Sequence, residues 1–255
     1  QEVRERFLKR SRLIAAMRQV FLERDYAEVE TPVLHPVYGG ANARPFQTHH
    51  NALDMKLYLR IAPELYLKRL LVGNIERVFE FARVFRNEGL SPRHNPEFTM
   101  LEFYEAYSDY RGMMELTEQL VVAAARAAGL EGADGRLAAR FRDEDFDLTP
   151  PFERLRYAEA FERHVGCSPL DEAAVRAELA EHGLAVEGEG DYAWWKAVND
   201  LFEELVEPAL RGPVFVYDYP AAICPRTKPS AEDPVWAERF QFFPGRTELA
   251  TAFSG

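Results

Sequence analysis

The stretch ERVFEFARVFRNEGLSPRHNPEFTMLEFYEAY, residues 76–107, decides the fold. Val78 to Glu88 alternates in polarity, and so does Phe98 to Tyr107. Alternation with a period of two marks a half-buried strand. The polar segment between the two runs, Gly89 to Glu97, contains Pro92 and Pro96, which cannot donate to a ladder. The whole therefore reads as a long antiparallel hairpin with a wide loop. Residues two apart share a face, which puts Glu80, Arg86 and Glu88 together on the first strand. Phe98, Met100, Glu102, Tyr104 and Ala106 share a face of the second. Charges on a face otherwise built of apolar groups are costly unless paired or liganded. Spacing alone leaves two readings open. One is a solvated face with cross-strand Arg–Glu pairs; the other is a binding site.

Upstream, residues 4–24 predict an amphipathic helix, with Leu13, Ile14, Met17, Val20 and Phe21 at helical spacing. Asp25 and Tyr26 break it, and Ala27 to Thr31 reads as a short strand ended by Pro32. Gly39-Gly40 marks a turn, Leu57 to Ile61 a strand, and Pro63 the opening of a helix. Downstream, a helix is expected from about Asp109 to Ala128, stopped by Gly129. Residues 130–210 read as a helical insertion, with helices near 156–165, after Asp171, and at about 191–206. Trp194 and Trp195 in the last of these read as packing residues. Val214 to Tyr217 is a strand, and Arg239 to Phe243 with Glu248 to Phe253 a final hairpin around Pro244-Gly245. The class expected is α+β, a mainly antiparallel sheet flanked by helices.

The 255 residues, 47% hydrophobic and 29% charged, suffice for one substantial core. Two cysteines, Cys167 and Cys224, make a disulfide scaffold a poor expectation and favour a reducing compartment, the cytoplasm. No run of about 18 apolar residues predicts a membrane span, and the first residues do not form a signal peptide. The chain does not begin with Met, so Gln1 is expected to be a cut end. A net charge of −11 argues against a small module that merely coats nucleic acid. It does not exclude a larger nucleic-acid-binding protein, because an acidic body can carry a local basic patch. Arg60, Lys68, Arg69, Arg77, Arg83, Arg86 and Arg93 form such a cluster in sequence.

Several segments in order resemble a known family. Glu28-Val-Glu-Thr-Pro32 after an amphipathic helix is similar to class II synthetase motif 1. Phe85-Arg86-Asn87-Glu88, a loop, and then the run from Arg93 to Glu102 resembles motif 2. Gly39 to Phe46, His49 to Asp54 and Arg60 to Leu70 are similar to the class II lysyl-tRNA synthetases in particular. The resemblance implies an antiparallel catalytic core and a homodimer formed partly through motif 1. It further implies activation of lysine by ATP with Mg2+, followed by transfer to the tRNA 3′ end. It places Arg86, beside Glu88, at the α-phosphate and the amino-acid carboxylate. His94 and Asn95 fall at the ATP, and Phe98 stacks on adenine. Gly40 and Glu64 fall at the α-amino group, Glu102 and Tyr104 at the ε-amino group, and Phe253 in the substrate pocket. Glu248 and Gln241 fall at the magnesium.

Elementary chemistry agrees with these roles. Carboxylate attack on a phosphate builds charge on phosphate oxygens, which a fixed guanidinium such as Arg86 stabilises. A diamine substrate needs separated acceptors such as Glu64 and Glu102, because a buried lone cation is expensive. Four departures qualify the resemblance. Motif 3, with a second ATP-binding arginine, is not reached before Gly255. Gln241 stands where the family usually has a glutamate, Thr251 where it has an asparagine, and Gly255 where a second ε-amino-binding glutamate is expected. The departures keep two alternatives open. One is a paralogue that lysylates a protein such as elongation factor P, a branch without an anticodon domain. The other is a degenerate, non-catalytic synthetase-like binding or regulatory module.

Overall fold

A computed structural model describes residues 2–89, 91, 94–141 and 144–255. The chain forms two compact units, Arg18–Tyr107 and the combination of Gln1–Met17 with Ser108–Gly255. The division falls within the first helix, α1 (Glu2–Leu22).

In the unit Arg18–Tyr107, β1 (Ala27–Glu28) follows α1. Then come β2 (Leu34–His35), β3 (Gln47–His50) and β4 (Met55–Leu59), which pair antiparallel in the order β2-β4-β3. Helix α2 (Glu64–Val72) leads to the long hairpin of β5 (Arg77–Phe85) and β6 (Glu97–Glu105). β1 runs parallel to β5, giving the order β1-β5-β6.

Alternation gives the hairpin two distinct faces. On one, Phe79 stacks on Phe21 of α1 at 4.2 Å between centroids, with Phe103 5.3 Å from the same ring. The Arg18 guanidinium lies over Phe81 at 5.1 Å and its Nε donates to Glu28. Of the apolar stripe that periodicity assigned to α1, Phe21 is fully buried and Leu13, Ile14, Met17 and Val20 are half-buried. On the other face, the register sets Val78 opposite Tyr104, Glu80 opposite Glu102, Ala82 opposite Met100 and Val84 opposite Phe98. Two carboxylates thus face each other across the strands, an arrangement that destabilises a sheet unless counter-charges intervene.

The counter-charge for Glu80 is Arg60. The two side chains are each only 4% exposed, and Nη1 of Arg60 meets Oε1 of Glu80 at 2.7 Å. Arg60 also donates from Nε to the Arg83 carbonyl at 2.8 Å and from Nη1 to the Thr31 carbonyl at 3.1 Å. Thr31 Oγ1 donates to Glu80 Oε2 at 2.6 Å. The network ties the segment after β1 and the β4–α2 junction to the middle of β5. It also accounts for a shorter first strand than the expected Ala27–Thr31. Val29 N–H still donates to the Phe79 carbonyl at 3.0 Å, but Thr31 is held by side chains instead of a ladder.

The first hairpin strand is also shorter than expected. β5 ends at Phe85, so Arg86 and Glu88 do not continue its face as strand residues. Arg86 N–H still donates across to the Pro96 carbonyl at 2.9 Å. Asn87 N–H then donates to the Arg44 carbonyl at 2.7 Å, turning the backbone toward the Gly39–Phe46 segment. Glu88, beyond that turn, is exposed.

In the other unit, Asp109 caps α3 (Tyr110–Ala127), its Oδ1 accepting from Arg111 and Gly112 N–H. Residues 130–156 correct the expectation of a helical insertion there. They form β7 (Ala138–Phe141) and β8 (Glu144–Asp147), a small hairpin, and β9 (Glu153–Arg156). Helices occupy only α4 (Tyr157–Val165), α5 (Glu172–Glu181) and α6 (Gly190–Leu205). β10 (Val214–Pro220), β11 (Trp236–Phe243) and β12 (Ala250–Phe253) complete a sheet of order β12-β11-β10-β9. β9 and β10 are parallel, which requires a long crossover, and the three helices supply it.

β10 is buried on both faces, as its near-continuous apolar sequence Val214-Phe-Val-Tyr requires. Phe215 packs with Phe240 and Phe242, while Val214 and Val216 join the core built with Tyr157, Phe161, Leu201 and Phe202. Trp194 and Trp195 pack partly buried against that core, and both cysteines are free thiols.

Arg60→Met should therefore destabilise the fold by about 3–5 kcal/mol, because it leaves Glu80 buried without its partner. Urea denaturation measures the loss, and Arg60→Met with Glu80→Leu should recover much of it. An unchanged midpoint in the single variant would show that the ion pair does not hold the unit together.

Candidate functional site

The second hairpin face and α2 bring together most of the residues singled out in the first half of the sequence. Pro63 stands at the N-cap of α2, so Glu64 begins the helix, where a carboxylate suits the dipole. Glu64 is buried, and its Oε1 receives the Lys68 ammonium at 2.9 Å, one helical turn on. Gly40 lies against it with φ +89°; a Cβ there would come within 3.0 Å of Glu64 Cβ and 3.2 Å of Ala62 Cβ. Only glycine combines that backbone conformation with so close an approach.

Glu102 sits on β6 and accepts from the Tyr104 hydroxyl at 2.9 Å. Burial raises its pKa to about 7; the Tyr104 hydrogen bond opposes the rise, Glu64 and Glu80 add to it, and Arg86 opposes it. Glu80 already has Arg60, so Glu102 lacks a direct cation of its own among the described residues. Burial, more than any missing counter-charge, is what makes ionised Glu102 costly here. A cationic ligand group placed there would be drawn in and would displace the Glu102 proton.

Arg86 is half-buried, 5.4 Å over the Phe98 ring, with Nε 3.4 Å from the Ile61 carbonyl. Its planar head is thus held by an aromatic face and a backbone oxygen. His94 and Asn95 are exposed, and the His94 ring lies 2.7 Å from Ser91 Oγ. Glu88 stands apart from this group, solvent-exposed past the end of β5.

Among the described residues, most of the anticipated basic cluster is paired with acids. Arg60 is buried on Glu80, Lys68 pairs with Glu64, Arg77 with Glu105 and Arg83 with Glu97. Arg69 lies over the Tyr66 ring. Arg93 lies outside the described residues.

In the other unit, Gln241 on β11 faces Thr251 on β12, and its Nε2 donates to Glu248 Oε2 at 2.8 Å. Glu248 is at the surface but partly shielded, and that shielding raises its pKa; Arg239 opposes the rise and Glu203 adds to it. Neighbouring Glu207 is pushed to about 7 by burial, then by Glu203 and Glu248. Sequence reasoning missed Glu203 and Glu207, which lie at and beyond the C-terminal end of α6 in a stretch without motif signal. Among the described residues, no group of three or more His, Cys, Asp or Glu side chains is arranged to hold a metal. A carboxylate oxygen and an amide oxygen nevertheless suit a hard dication that retains most of its water. Phe253 lies half-buried on β12, opposite Arg239.

Residues 1–254 match the family described as tRNA synthetases class II (D, K and N). The chain belongs to this class II synthetase family. Among similar proteins is the lysine--tRNA ligase of Magnetococcus marinus, 49% identical over 255 residues, 99% of this chain and 50% of that protein. The lysine--tRNA ligase of Moorella thermoacetica is 48% identical over 257 residues, covering 99% of this chain and 51% of its own length. That of Xanthomonas campestris pv. campestris is 46% identical over 255 residues, with 99% and 50% covered. The chain thus spans about half the length of the curated relatives it matches. The α+β architecture, with its predominantly antiparallel pairing, agrees with this class II membership. No helix among the described residues is long and apolar enough to cross a membrane.

Glu102 supplies a pH test of the site. Its folded pKa, about 7, lies above the ordinary 4.5, so the folded protein binds more protons between these values. Stability attributable to this group is therefore lost as pH rises from about 4.5 to about 7. Glu102→Gln should stabilise the ligand-free protein at pH 8 by up to roughly 3 kcal/mol, and by almost nothing at pH 4. Denaturant titrations across that range measure the difference. A constant offset at all pH values would exclude a raised Glu102.

Proposed function

We propose that this chain is the catalytic domain of a lysine-tRNA ligase, with α4–α6 as an insertion between β9 and β10. Three things support the reading: the class II family, relatives named lysine--tRNA ligase, and the charge arrangement of the site. The observation that carries it is the pair of carboxylates, Glu64 buried on α2 and Glu102 half-buried on the β6 face, with Arg86 near the end of that face. Two separated acceptors suit a substrate with two ammonium groups, and a guanidinium suits its carboxylate.

In this reading, Glu64 and the backbone of Gly40 receive the α-ammonium, and Glu102 with Tyr104 receives the ε-ammonium. The lysine carboxylate attacks the α-phosphorus of ATP. An acyl–phosphate bond forms, the bond to the β-phosphate breaks, and pyrophosphate leaves. Arg86 stabilises the charge that gathers on the α-phosphate oxygens. Phe98 offers its ring to adenine, and His94 and Asn95 contact the nucleotide. A terminal ribose hydroxyl of tRNA then attacks the acyl carbon, losing its proton and releasing AMP. Glu248 and Gln241 would hold Mg2+, which when bound neutralises phosphate charge, and Phe253 would line the substrate pocket. Glu88 remains a candidate partner of Arg86 during turnover. We place the protein in the cytoplasm and assign it a homodimer built partly on the Glu28–Pro32 segment.

Arg86→Ala in the complete polypeptide should lower lysine-dependent ATP–pyrophosphate exchange by about 10²–10³ or more, as loss of one transition-state donor does. Exchange near the wild-type rate would remove Arg86 from the reaction. Gln241→Glu should raise apparent magnesium affinity, since a carboxylate binds a hard dication better than an amide. Exchange measured against Mg2+ concentration tests this, and an unchanged dependence would remove Gln241 from the metal site.

A further inference from the structure

Strand β12 is four residues long and lies at the edge of its sheet. It pairs with β11 so that Arg239 faces Phe253, Phe240 faces Ala252, Gln241 faces Thr251 and Phe242 faces Ala250. Neighbouring residues of a strand point to opposite faces. Thr251 and Phe253 therefore share a face with Arg239 and Gln241, and Ala252 shares the other with Phe240. So short a ladder gives the register little to rest on, and a slip by one residue would exchange the two faces. The bonds that resist a slip gather on Ser254, just past the strand. Its N–H donates to the Glu238 carbonyl at 2.9 Å, and its carbonyl accepts from Lys228 N–H at 2.8 Å. Its hydroxyl oxygen accepts from Tyr110 N–H at 3.0 Å. Tyr110 is the first residue of α3, where an N–H finds no partner inside the helix; Asp109 serves the next two, those of Arg111 and Gly112. Tyr110 is itself held, buried with its hydroxyl donating to Asp218 on β10 at 2.7 Å.

We propose that Ser254 is a positioning residue for amino-acid binding, an inference that rests on Phe253 lining the substrate pocket. The Ser254 hydroxyl adds to the N-terminal cap of α3 from a strand distant in sequence, and so couples the end of β12 to a helix already tied to β10. With Ser254 turned to α3, alternation sends Phe253 to the opposite face, the one that carries Gln241 and Thr251. A slip by one residue would turn Phe253 to the α3 side and break the Tyr110 bond. Ser254 therefore acts without touching the substrate, by fixing where the neighbouring ring stands.

The experiment is lysine-dependent ATP–pyrophosphate exchange in the complete polypeptide, with KM measured for each substrate. Ser254→Ala should raise the KM for lysine about fivefold, the equivalent of one lost capping hydrogen bond, with kcat and the KM for ATP within about twofold. Ser254→Thr keeps the hydroxyl and should restore most of the lysine KM. Asp109→Ala removes the other cap of the same helix and should leave the lysine KM within about twofold. The retained KM for ATP doubles as the control for folding. Equal rises for both substrates, an unchanged lysine KM, or a rise in Asp109→Ala as large as in Ser254→Ala would each overturn the inference, the last by making fraying of α3 the cause. Phe253→Ala separates this failure from that of the functional reading. If it raises the lysine KM and Ser254→Ala does not, only the role of Ser254 falls. If Phe253→Ala leaves the lysine KM unchanged, the pocket assignment falls and takes Ser254 with it.

Discussion

The Arg60–Glu80 ion pair is the constraint on which the unit Arg18–Tyr107 is built. A carboxylate in the middle of β5 faces a second carboxylate across the ladder, and neither can simply be left in an apolar interior. Arg60 reaches it with Nη1, which also donates to the Thr31 carbonyl, while Nε donates to the carbonyl of Arg83. Three chain segments distant in sequence are thereby fixed around one guanidinium. A pair this buried does not contribute much net stability over an apolar replacement, but losing half of it is severe. What it secures is register: the hairpin face that carries Glu102, and the start of the helix that carries Glu64.

With Glu80 satisfied, Glu102 remains on that face without a direct ion pair among the described residues. Glu102 is left with a hydroxyl and a distant arginine, and burial holds its pKa near neutrality. Glu64 receives the Lys68 ammonium on Oε1. A buried carboxylate held near neutrality is poised to accept a cationic group. The stability lost by keeping Glu102 among acids is of the kind that functional sites commonly carry.

The other unit meets a different problem. Its central strand, β10, is buried on both faces, so it needs aromatic residues from β11 and Phe152 on one side and helices on the other. The helices that cover it are also the crossover that makes β9 parallel to β10. Their end leaves Glu203 and Glu207 near Glu248, which concentrates negative charge beside Gln241. An amide at that position lowers the charge by one, and its N–H is already engaged with Glu248.

Local pattern by itself determined the amphipathic α1, the hairpin and the division of its faces, the capped α3, and the three helices between residues 157 and 205. These rest on periodicity and caps, which act over a few residues. The order of motif segments determined the family and the candidate residues Gly40, Glu64, Arg86, Phe98, Glu102 and Tyr104. Tertiary structure decided the rest. β7, β8 and β9 are too short for their alternation to stand out, and β9 is a strand only because β10 offers an edge. Arg86 and Glu88 share a parity in sequence, yet the backbone turns after Phe85 to reach Arg44, and Glu88 is left in solvent. Arg60 and Lys68 read as two more surface cations, because the carboxylates that claim them depend on which segment folds against which. Charge pairing across segments has no period, and only the assembled fold reveals it.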